Sequence, residues 1–268
     1  MVYIFQKTVI VHLPQASFSL CRGTKQKCLP LRATQRLYTG RCEPKLKLFQ
    51  VSDKVWYAEY EAERDRPNLG YIRGDRWSIA VDAGHSGSHV EEFYQALDRA
   101  GLPLPSLTVL THWHWDHTFG MHRIHGLSVA SRKTADYLDA FRKKLDAEGP
   151  AFFFALDPSI RLEYADHKPV TVVPPDILFE NSLYLDAGNT PVRIFRAESP
   201  HTDDAVLVFL PEERILFYGD ARSGVFPTWE ANPAKVQLFI HAVEETGAEI
   251  CIGGHWEAQK TEDLIREL

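Results

Sequence analysis

The sequence has few cysteines and no long apolar run. Four cysteines in 268 residues are too few for a disulfide framework in a chain of this length, which favours a reducing compartment. The apolar stretch at the start is interrupted by Lys7, His12, Pro14 and Gln15, so it predicts neither a signal peptide nor a transmembrane span. These absences predict a cytoplasmic protein that has no membrane partner.

The chain also lacks an excess of positive charge. Its 30 Lys and Arg against 36 Asp and Glu give a net charge of −6, which offers no electrostatic basis for binding nucleic acid. Hydrophobic residues at 44% and charged residues at 25% are typical of a globular domain. We therefore expect a small-molecule substrate and no nucleic-acid partner, while the composition leaves the oligomeric state open.

Residues 1–44 differ from the rest of the chain. They show no clear hydrophobic periodicity and contain Cys21, Cys28 and Cys42, which lack the CxxC pair and nearby fourth ligand typical of a structural zinc site. We interpret them as a peripheral or poorly ordered N-terminal extension that is dispensable for chemistry. A single catalytic domain is predicted over residues 45–268.

From Lys45 onward, short predicted strands are interspersed with helices. Turn residues predict one strand pair within residues 48–61 and a hairpin within residues 69–84. A predicted helix over residues 86–100 ends at Gly101, and Ser131 is expected to cap another helix. Antiparallel strand pairs between helices predict a layered α+β fold in which helices cover sheets.

A buried strand, LTVL, runs directly into the segment THWHWDH at residues 111–117. Because side chains alternate along an extended backbone, His112 and His114 lie on the same side and both imidazoles can reach one cation. Asp116 and His117 follow as the chain turns into a helix, where they can reach a second position. Imidazole and carboxylate are ligands that zinc, iron and manganese accept. The pattern predicts a metal site.

Three further candidate ligands lie where later predicted strands meet loops: His201, Asp220 and His255. Loops at the ends of strands on a rigid sheet are common places for functional sites. Together with HWHWDH, these positions resemble the metallo-β-lactamase-fold hydrolase superfamily over roughly residues 45–268. HWHWDH matches the family's His-x-His-x-Asp-His signature, and VDAG at residues 81–84 resembles its early Asp-x-Gly.

The resemblance implies a four-layer αββα sandwich with two metal ions at one edge, as in the glyoxalase-II-like and lactonase-like branch. Three histidines are implied to hold the first metal ion: His112, His114 and His201. Three residues are implied to hold the second: Asp116, His117 and His255. Asp220 would bridge the two ions, and Asp82 would orient the ligand loops through hydrogen bonds. Two Zn²⁺ are expected, with iron or manganese as alternatives.

The chemistry that such a site implies is hydrolysis. A hydroxide that bridges two metal ions is the expected nucleophile, and Asp116 is the expected catalytic residue, orienting the nucleophile or carrying a proton. Asp220 favours a thioester or lactone substrate by resemblance, because many true β-lactamases carry Cys or Ser at that position. Phosphodiesterase or β-lactamase activity at the same site is the alternative.

Three functions of other classes are alternatives to hydrolysis. Di-iron redox members of the superfamily typically carry Glu where this chain has His114, and they append a flavin-binding domain that this sequence does not contain. A mononuclear iron dioxygenase that acts on persulfides keeps much of the motif and stays an alternative. A non-catalytic metal-binding scaffold is the third, and the complete ligand set disfavours it.

Several aromatic residues and one arginine are predicted to contact the substrate. Residues 149–180 form an irregular insertion that we expect to roof the metal centre, with an apolar surface made by Phe152, Phe153 and Phe154. Trp113 and Trp115 alternate with the ligands, and at least one is expected to border the cleft. Arg222, two residues after Asp220, is a candidate contact for an anionic group.

Overall fold

The computed structural model describes residues 46–268 and, nearer the N-terminus, the backbone of Val9–Ile10. These two residues form strand β1, which pairs in parallel with strand β9 (Ser182–Asp186). The remainder of the predicted extension over residues 1–44 lies outside the described residues. Within the described part of the chain, no helix is long and apolar enough to cross a membrane.

Seven strands form a first mixed sheet, in the order in which they occur along the chain. Their bounds are β2 Leu48–Gln50, β3 Val55–Ala58, β4 Leu69–Arg73, β5 Ser78–Val81, β6 Leu107–Val109, β7 Leu127–Ser131 and β8 Ile177–Phe179. Strands β2 to β5 are antiparallel, which confirms the strand pair within residues 48–61 and the hairpin within residues 69–84. Strands β5 to β8 are parallel.

The second sheet has the order β1-β9-β10-β11-β12-β13-β14. The bounds of its later strands are β10 Pro191–Arg196, β11 Val206–Leu210, β12 Ile215–Gly219, β13 Ile250–Gly253 and β14 Gln259–Lys260. Strands β9 to β12 are antiparallel, while β13 lies parallel to β12. The parallel pairing brings the carboxyl ends of β12 and β13 together, and the candidate ligands Asp220 and His255 follow those ends.

Helices cover the outer faces of the two sheets. The α-helices in the described residues are α1 Gly87–Arg99, α2 Trp115–Thr118, α3 Arg132–Glu148, α4 Ala151–Phe154, α5 Pro158–Glu163, α6 Pro233–Thr246 and α7 Thr261–Arg266. Helix α1 buries Phe93 and Leu97 against the first sheet, and α6 buries Phe239 and Val243 against the second. Aliphatic side chains of both sheets meet in the central core. The predicted four-layer αββα sandwich is confirmed.

Two helices begin where side-chain capping predicts. Ser131 accepts a hydrogen bond from the Thr134 amide at 3.1 Å and so caps α3, as expected from the sequence. Ser86 accepts from the His89 amide at 3.2 Å and caps α1. Ser131 is the last residue of β7 and Ser86 comes shortly after β5, so both caps lie where the chain leaves the first sheet.

The structure differs from the expectation of an irregular segment over residues 149–180. Two short helices, α4 and α5, and strand β8 lie within it. Asp157 caps α5 by accepting from the Ser159 amide at 2.8 Å, and Pro158 occupies the first helical turn, where its missing N–H costs nothing. Helices this short have little periodicity, so composition alone suggested a loop.

A buried ion pair ties this insertion to the domain. Arg66, which is 2% exposed, donates from Nε to Glu163 Oε2 at 2.6 Å and from Nη2 to Oε1 at 3.0 Å. Ser86 also donates to Glu163. Three segments therefore meet at one carboxylate: the loop that carries Arg66, the start of α1 and the end of α5. This junction holds α5 beside the candidate ligands.

Phe153 is expected to act as a core residue. Its fully buried ring lies 5.3 Å from that of Phe119, 5.6 Å from Phe141 and 5.9 Å from Trp115. We expect Phe153→Ala to lower the free energy of unfolding by about 3–5 kcal/mol, as measured by urea denaturation. Phe152→Ala, at a partly buried position, is the matched control and should cost less. Equal stability of the Phe153 variant and the unaltered protein would contradict this assignment.

Candidate metal centre

The candidate ligands converge at one edge of the sandwich because each follows or precedes a strand there. His112 to His117 come three residues after β6 ends, Asp220 directly follows β12, and His255 follows β13. His201 lies in the loop between β10 and β11. The Val206 amide donates to the Thr111 carbonyl at 2.7 Å, which joins the start of β11 to the loop of the histidine motif.

Three histidines form the first group of possible ligands: His112, His114 and His201. His201 Nε2 lies 2.9 Å from His114 Nδ1, and all three side chains are buried. Burial lowers the pKa of His114 to about 3 and that of His112 well below its ordinary value, and the neighbouring histidines add to the effect. Both imidazoles are thus neutral near pH 7, which is the form that binds metal ions.

The second group combines two carboxylates with two histidines: Asp116, His117, Asp220 and His255. Asp116 Oδ2 lies 3.0 Å from His255 Nε2 and 3.1 Å from His117 Nε2. Burial opposes a charge on His255, but the carboxylates of Asp220 and Asp116 outweigh it and raise its pKa to about 9. The two carboxylates therefore stabilise positive charge at this point, as a site for a divalent cation requires.

Asp220 lies between the two groups. Its Oδ1 is 3.4 Å from His117 Nε2, and its Oδ2 is 3.9 Å from His201 Nε2. One carboxylate thus faces ligands of both groups, which is the placement that a bridging ligand needs. Gly254 permits this approach, because a Cβ at that position would lie 2.2 Å from Asp220 Oδ1.

Three buried atoms in the two groups lack hydrogen-bond partners within the described structure: His112 Nε2, His117 Nε2 and Asp220 Oδ1. Buried polar atoms almost always have a partner, so unpaired ones that converge call for an explanation. Divalent metal ions would satisfy all three, and the mixed nitrogen and oxygen donors suit zinc, iron or manganese. The residues therefore fit a pair of metal ions.

Asp82 holds the ligand loop from behind. Its carboxylate accepts from the Thr111 amide at 2.7 Å, from Thr111 Oγ1 at 2.8 Å and from His117 Nδ1 at 2.7 Å. His201 Nδ1 likewise donates to the Gly224 carbonyl at 2.7 Å. With Nδ1 protonated in both rings, Nε2 is left unprotonated and would be the atom that binds a metal ion. The geometry agrees with the orienting role that the resemblance implies for Asp82.

We expect Asp82→Ala to weaken metal binding about 10- to 100-fold, because His117 would lose the partner that sets its tautomer. Competition with a chromophoric chelator measures the change. Asp186→Ala removes an exposed carboxylate on β9 and serves as the matched control. A metal affinity within twofold of the unaltered protein would show that Thr111 and the backbone hold the loop without Asp82.

A family model for the metallo-beta-lactamase superfamily matches residues 63–255, more than half of the chain. The chain belongs to the metallo-beta-lactamase superfamily. The match includes all seven candidate ligands and Asp82, so the family predicted from the histidine motif is confirmed.

The chain is similar to a known thioesterase and to solved structures of metallo-beta-lactamases. An acyl-coenzyme A thioesterase of the chicken (Gallus gallus), MBLAC2, is 24% identical over 220 residues, covering 75% of this chain and 76% of the relative. A metallo-beta-lactamase from Pontibacter korlensis has a TM-score of 0.61 and 19% identity over 83% of this chain and 100% of its own. The DIM-1 metallo-beta-lactamase has a TM-score of 0.60 and 20% identity, covering 84% and 95%. These structural likenesses show the fold.

A cavity of about 390 Å³ opens onto the candidate metal centre. We call it the aromatic cavity, because four of its lining residues are aromatic: Trp115, Phe226, Trp229 and Trp256. Of the two tryptophans in the motif, Trp115 lines this cavity and Trp113 lines a neighbouring groove. The placement of both beside the ligands agrees with the prediction that a motif tryptophan borders the cleft.

Two other predicted contacts lie elsewhere. The aromatic cavity is not lined by the three phenylalanines of α4, Phe152, Phe153 and Phe154. Their rings pack instead against Phe141, Trp115 and Tyr164. The insertion contributes two polar residues, Asp157 and Ser159, to the cavity wall. Arg222 donates to Glu267 at 2.9 Å and lies over the Trp256 ring, 4.9 Å from its centroid. It supports a wall of the cavity from behind and does not line it.

Asp65 also lines the cavity, and the sequence patterns missed it. Its φ of 51° is a left-handed conformation that Asp tolerates, and His85 Nδ1 holds the loop by donating to the carbonyls of Arg64 and Asp65 at 2.9 and 3.1 Å. Burial raises the pKa of Asp65 to about 7, and the negative charge of Asp116 adds to the effect. A turn residue of this kind has no periodicity that would indicate a site.

Proposed function

We propose that this protein is a dinuclear metal hydrolase that cleaves an acyl thioester of a small molecule, with zinc as the metal. The observation that carries the proposal is Asp220, which lies between two complete ligand groups at the floor of the aromatic cavity. A second complete group of four ligands favours two metal ions over a mononuclear iron centre. The acyl-coenzyme A thioesterase named among the relatives supports the thioester.

The two ligand groups would hold a pair of divalent ions, which when bound would lower the pKa of a water molecule and polarise the carbonyl group of the substrate. Asp116 lines the aromatic cavity, which supports a role beside the attacking group. Burial favours the neutral acid, but His117 and His255 outweigh it and lower the pKa of Asp116 well below its ordinary value. Asp116 is therefore a carboxylate at neutral pH, and it accepts a hydrogen bond from the attacking group and orients it.

The cavity walls favour a thioester for a chemical reason. The thiol that leaves has an ordinary pKa of about 8.5, so it departs as a thiolate without a strong acid beside it. Trp115 and Phe226, whose ring centroids are 5.1 Å apart, form an apolar surface next to the ligands and would exclude water around an acyl group. An alkoxide leaving group would need a proton, for which Asp65 is a candidate donor on the wall.

A substrate panel tests the proposal. We expect zinc-loaded protein to release thiol from acyl thioesters faster than it opens lactones, β-lactams or bis(p-nitrophenyl) phosphate. Elemental analysis should find about two zinc ions per chain, since both ligand groups are complete. Cleavage of the lactones or the phosphodiester alone would overturn the thioester assignment. Iron alone at one equivalent, with oxygen uptake on glutathione persulfide, would favour the dioxygenase.

A further inference from the structure

A second depression adjoins the candidate metal centre. It has a volume of about 480 Å³ and shares His114, His201 and Phe226 with the aromatic cavity. Beyond this shared wall, its lining includes Trp113, Tyr137, Asp203, Asn232 and Lys235. We call it the Lys235 groove. A substrate whose scissile bond lies at the ligands can therefore extend in two directions.

The two directions differ in charge. The described lining of the aromatic cavity includes Asp65 and Asp157 in addition to the ligands, and none of these described residues is Lys or Arg. The lining of the groove includes Lys235, whose Nζ lies 3.8 Å from Glu198 Oε2, beyond hydrogen-bonding distance. Glu198 is itself 57% exposed, so it screens Lys235 weakly. Away from the ligands, the described wall of the aromatic cavity offers an anion no cationic side chain, whereas the groove offers it Lys235.

The acidic residue of the groove already has its partners. Asp203 accepts from Lys133 Nζ at 2.6 Å and from the Tyr137 hydroxyl at 2.8 Å, and its carbonyl accepts from Arg196 Nη2 at 2.9 Å. Lys133 is thus the hydrogen-bonded partner of this carboxylate, whereas Lys235 attracts it only through space and donates no hydrogen bond among the described residues.

The groove also has an aromatic side. The rings of Trp113 and Tyr137 lie 5.6 Å apart at an angle of 31°, and Trp113 is 4.7 Å from the ring of His114. Tyr137 is 39% exposed, so its face is open to a ligand. Aromatic faces next to a lysine suit an organic phosphate, whose apolar part packs on the rings and whose charge meets the ammonium group.

We propose that the Lys235 groove binds the phosphorylated carrier of the thioester, with the acyl group directed into the aromatic cavity. This inference rests on the proposed thioesterase function and adds the carrier's chemistry and its orientation. Lys235 is then a specificity-determining residue that touches the substrate far from the bond that breaks.

Two substrates with the same acyl group test the proposal: an acyl-coenzyme A and the corresponding S-acyl pantetheine, which lacks phosphate. We expect Lys235→Gln to raise KM for acyl-coenzyme A roughly three- to tenfold and to leave kcat for that substrate unchanged. For S-acyl pantetheine, both KM and kcat should stay unchanged. Lys235→Glu should raise KM for acyl-coenzyme A further. Lys260→Gln, which removes the same charge from β14, is the matched control and should change KM and kcat for neither substrate.

Binding of desulfo-coenzyme A, which has neither thiol nor thioester, gives a readout that does not depend on turnover. Calorimetry with zinc-loaded protein should show weaker binding to the Lys235→Gln variant by a similar factor. If the unaltered protein cleaves neither thioester, the proposed function is wrong. The binding measurement then still tests whether the Lys235 groove binds a phosphorylated carrier. Equal changes in KM for both substrates, or equal binding of desulfo-coenzyme A by variant and unaltered protein, would overturn the proposal.

Discussion

Asp220→Ala is expected to remove most of the bound metal and to reduce kcat/KM on the order of a thousandfold or more. Asp220 is the carboxylate that lies between the two ligand groups, and Asp220 Oδ2 is also 3.5 Å from His255 Nε2. Without it, two cations would face each other with one negative charge fewer between them. Elemental analysis and thioester hydrolysis, measured on the same preparation, check both losses.

Asp220→Asn is a more conservative variant that tests the same role of Asp220. The amide keeps the volume of the side chain and one oxygen that can ligate a metal ion, but it has lost the charge and the second oxygen. We expect this variant to keep about one metal ion and to remain nearly inactive. Its melting temperature, compared with that of metal-free unaltered protein, separates metal loss from unfolding. Full activity with two metal ions in the alanine variant would refute the bridging role.

Asp116→Asn is expected to lower kcat by about 10²- to 10⁴-fold while the fold persists. Asp116 both lines the aromatic cavity and lies 3.0 Å from His255 Nε2, so its charge acts on the attacking group and on the second ligand group. Steady-state kinetics at saturating zinc measure the change in kcat. Metal saturation isolates the effect on turnover from any weakening of metal binding.

Asp65→Asn is the matched control for this variant. It removes a carboxylate from the wall of the same cavity, but Asp65 does not belong to either ligand group. We expect its effect on kcat for a thioester to be about tenfold or less, because a thiolate needs little acid assistance. If the two variants lost turnover equally, the general negative charge of the cavity would explain the effect, and no special role for Asp116 would remain.

The ligands were predictable from the sequence because their pattern is local. His112, His114, Asp116 and His117 lie within six residues, and an extended backbone that turns into a helix leaves few ways to arrange them. Asp220 and His255 each follow a short apolar run of the length and composition typical of a buried strand. The hairpins and the caps at Ser86 and Ser131 are local in the same sense, since turn and capping chemistry involves neighbouring residues.

The support and the walls of the site depend on contacts between residues distant in sequence. Asp82 reaches His117 across 35 positions, and Arg66 reaches Glu163 across 97. Asp65, Trp229 and Lys235 have no spacing that indicates a cavity, because each becomes part of a wall only when separate loops pack together. Phe153 illustrates the same limit. An aromatic run predicts that the rings are buried, but it does not say whether the protein core or a bound substrate buries them. Only the packing of α4 against Phe119 and Trp115 decided that Phe153 lies in the core.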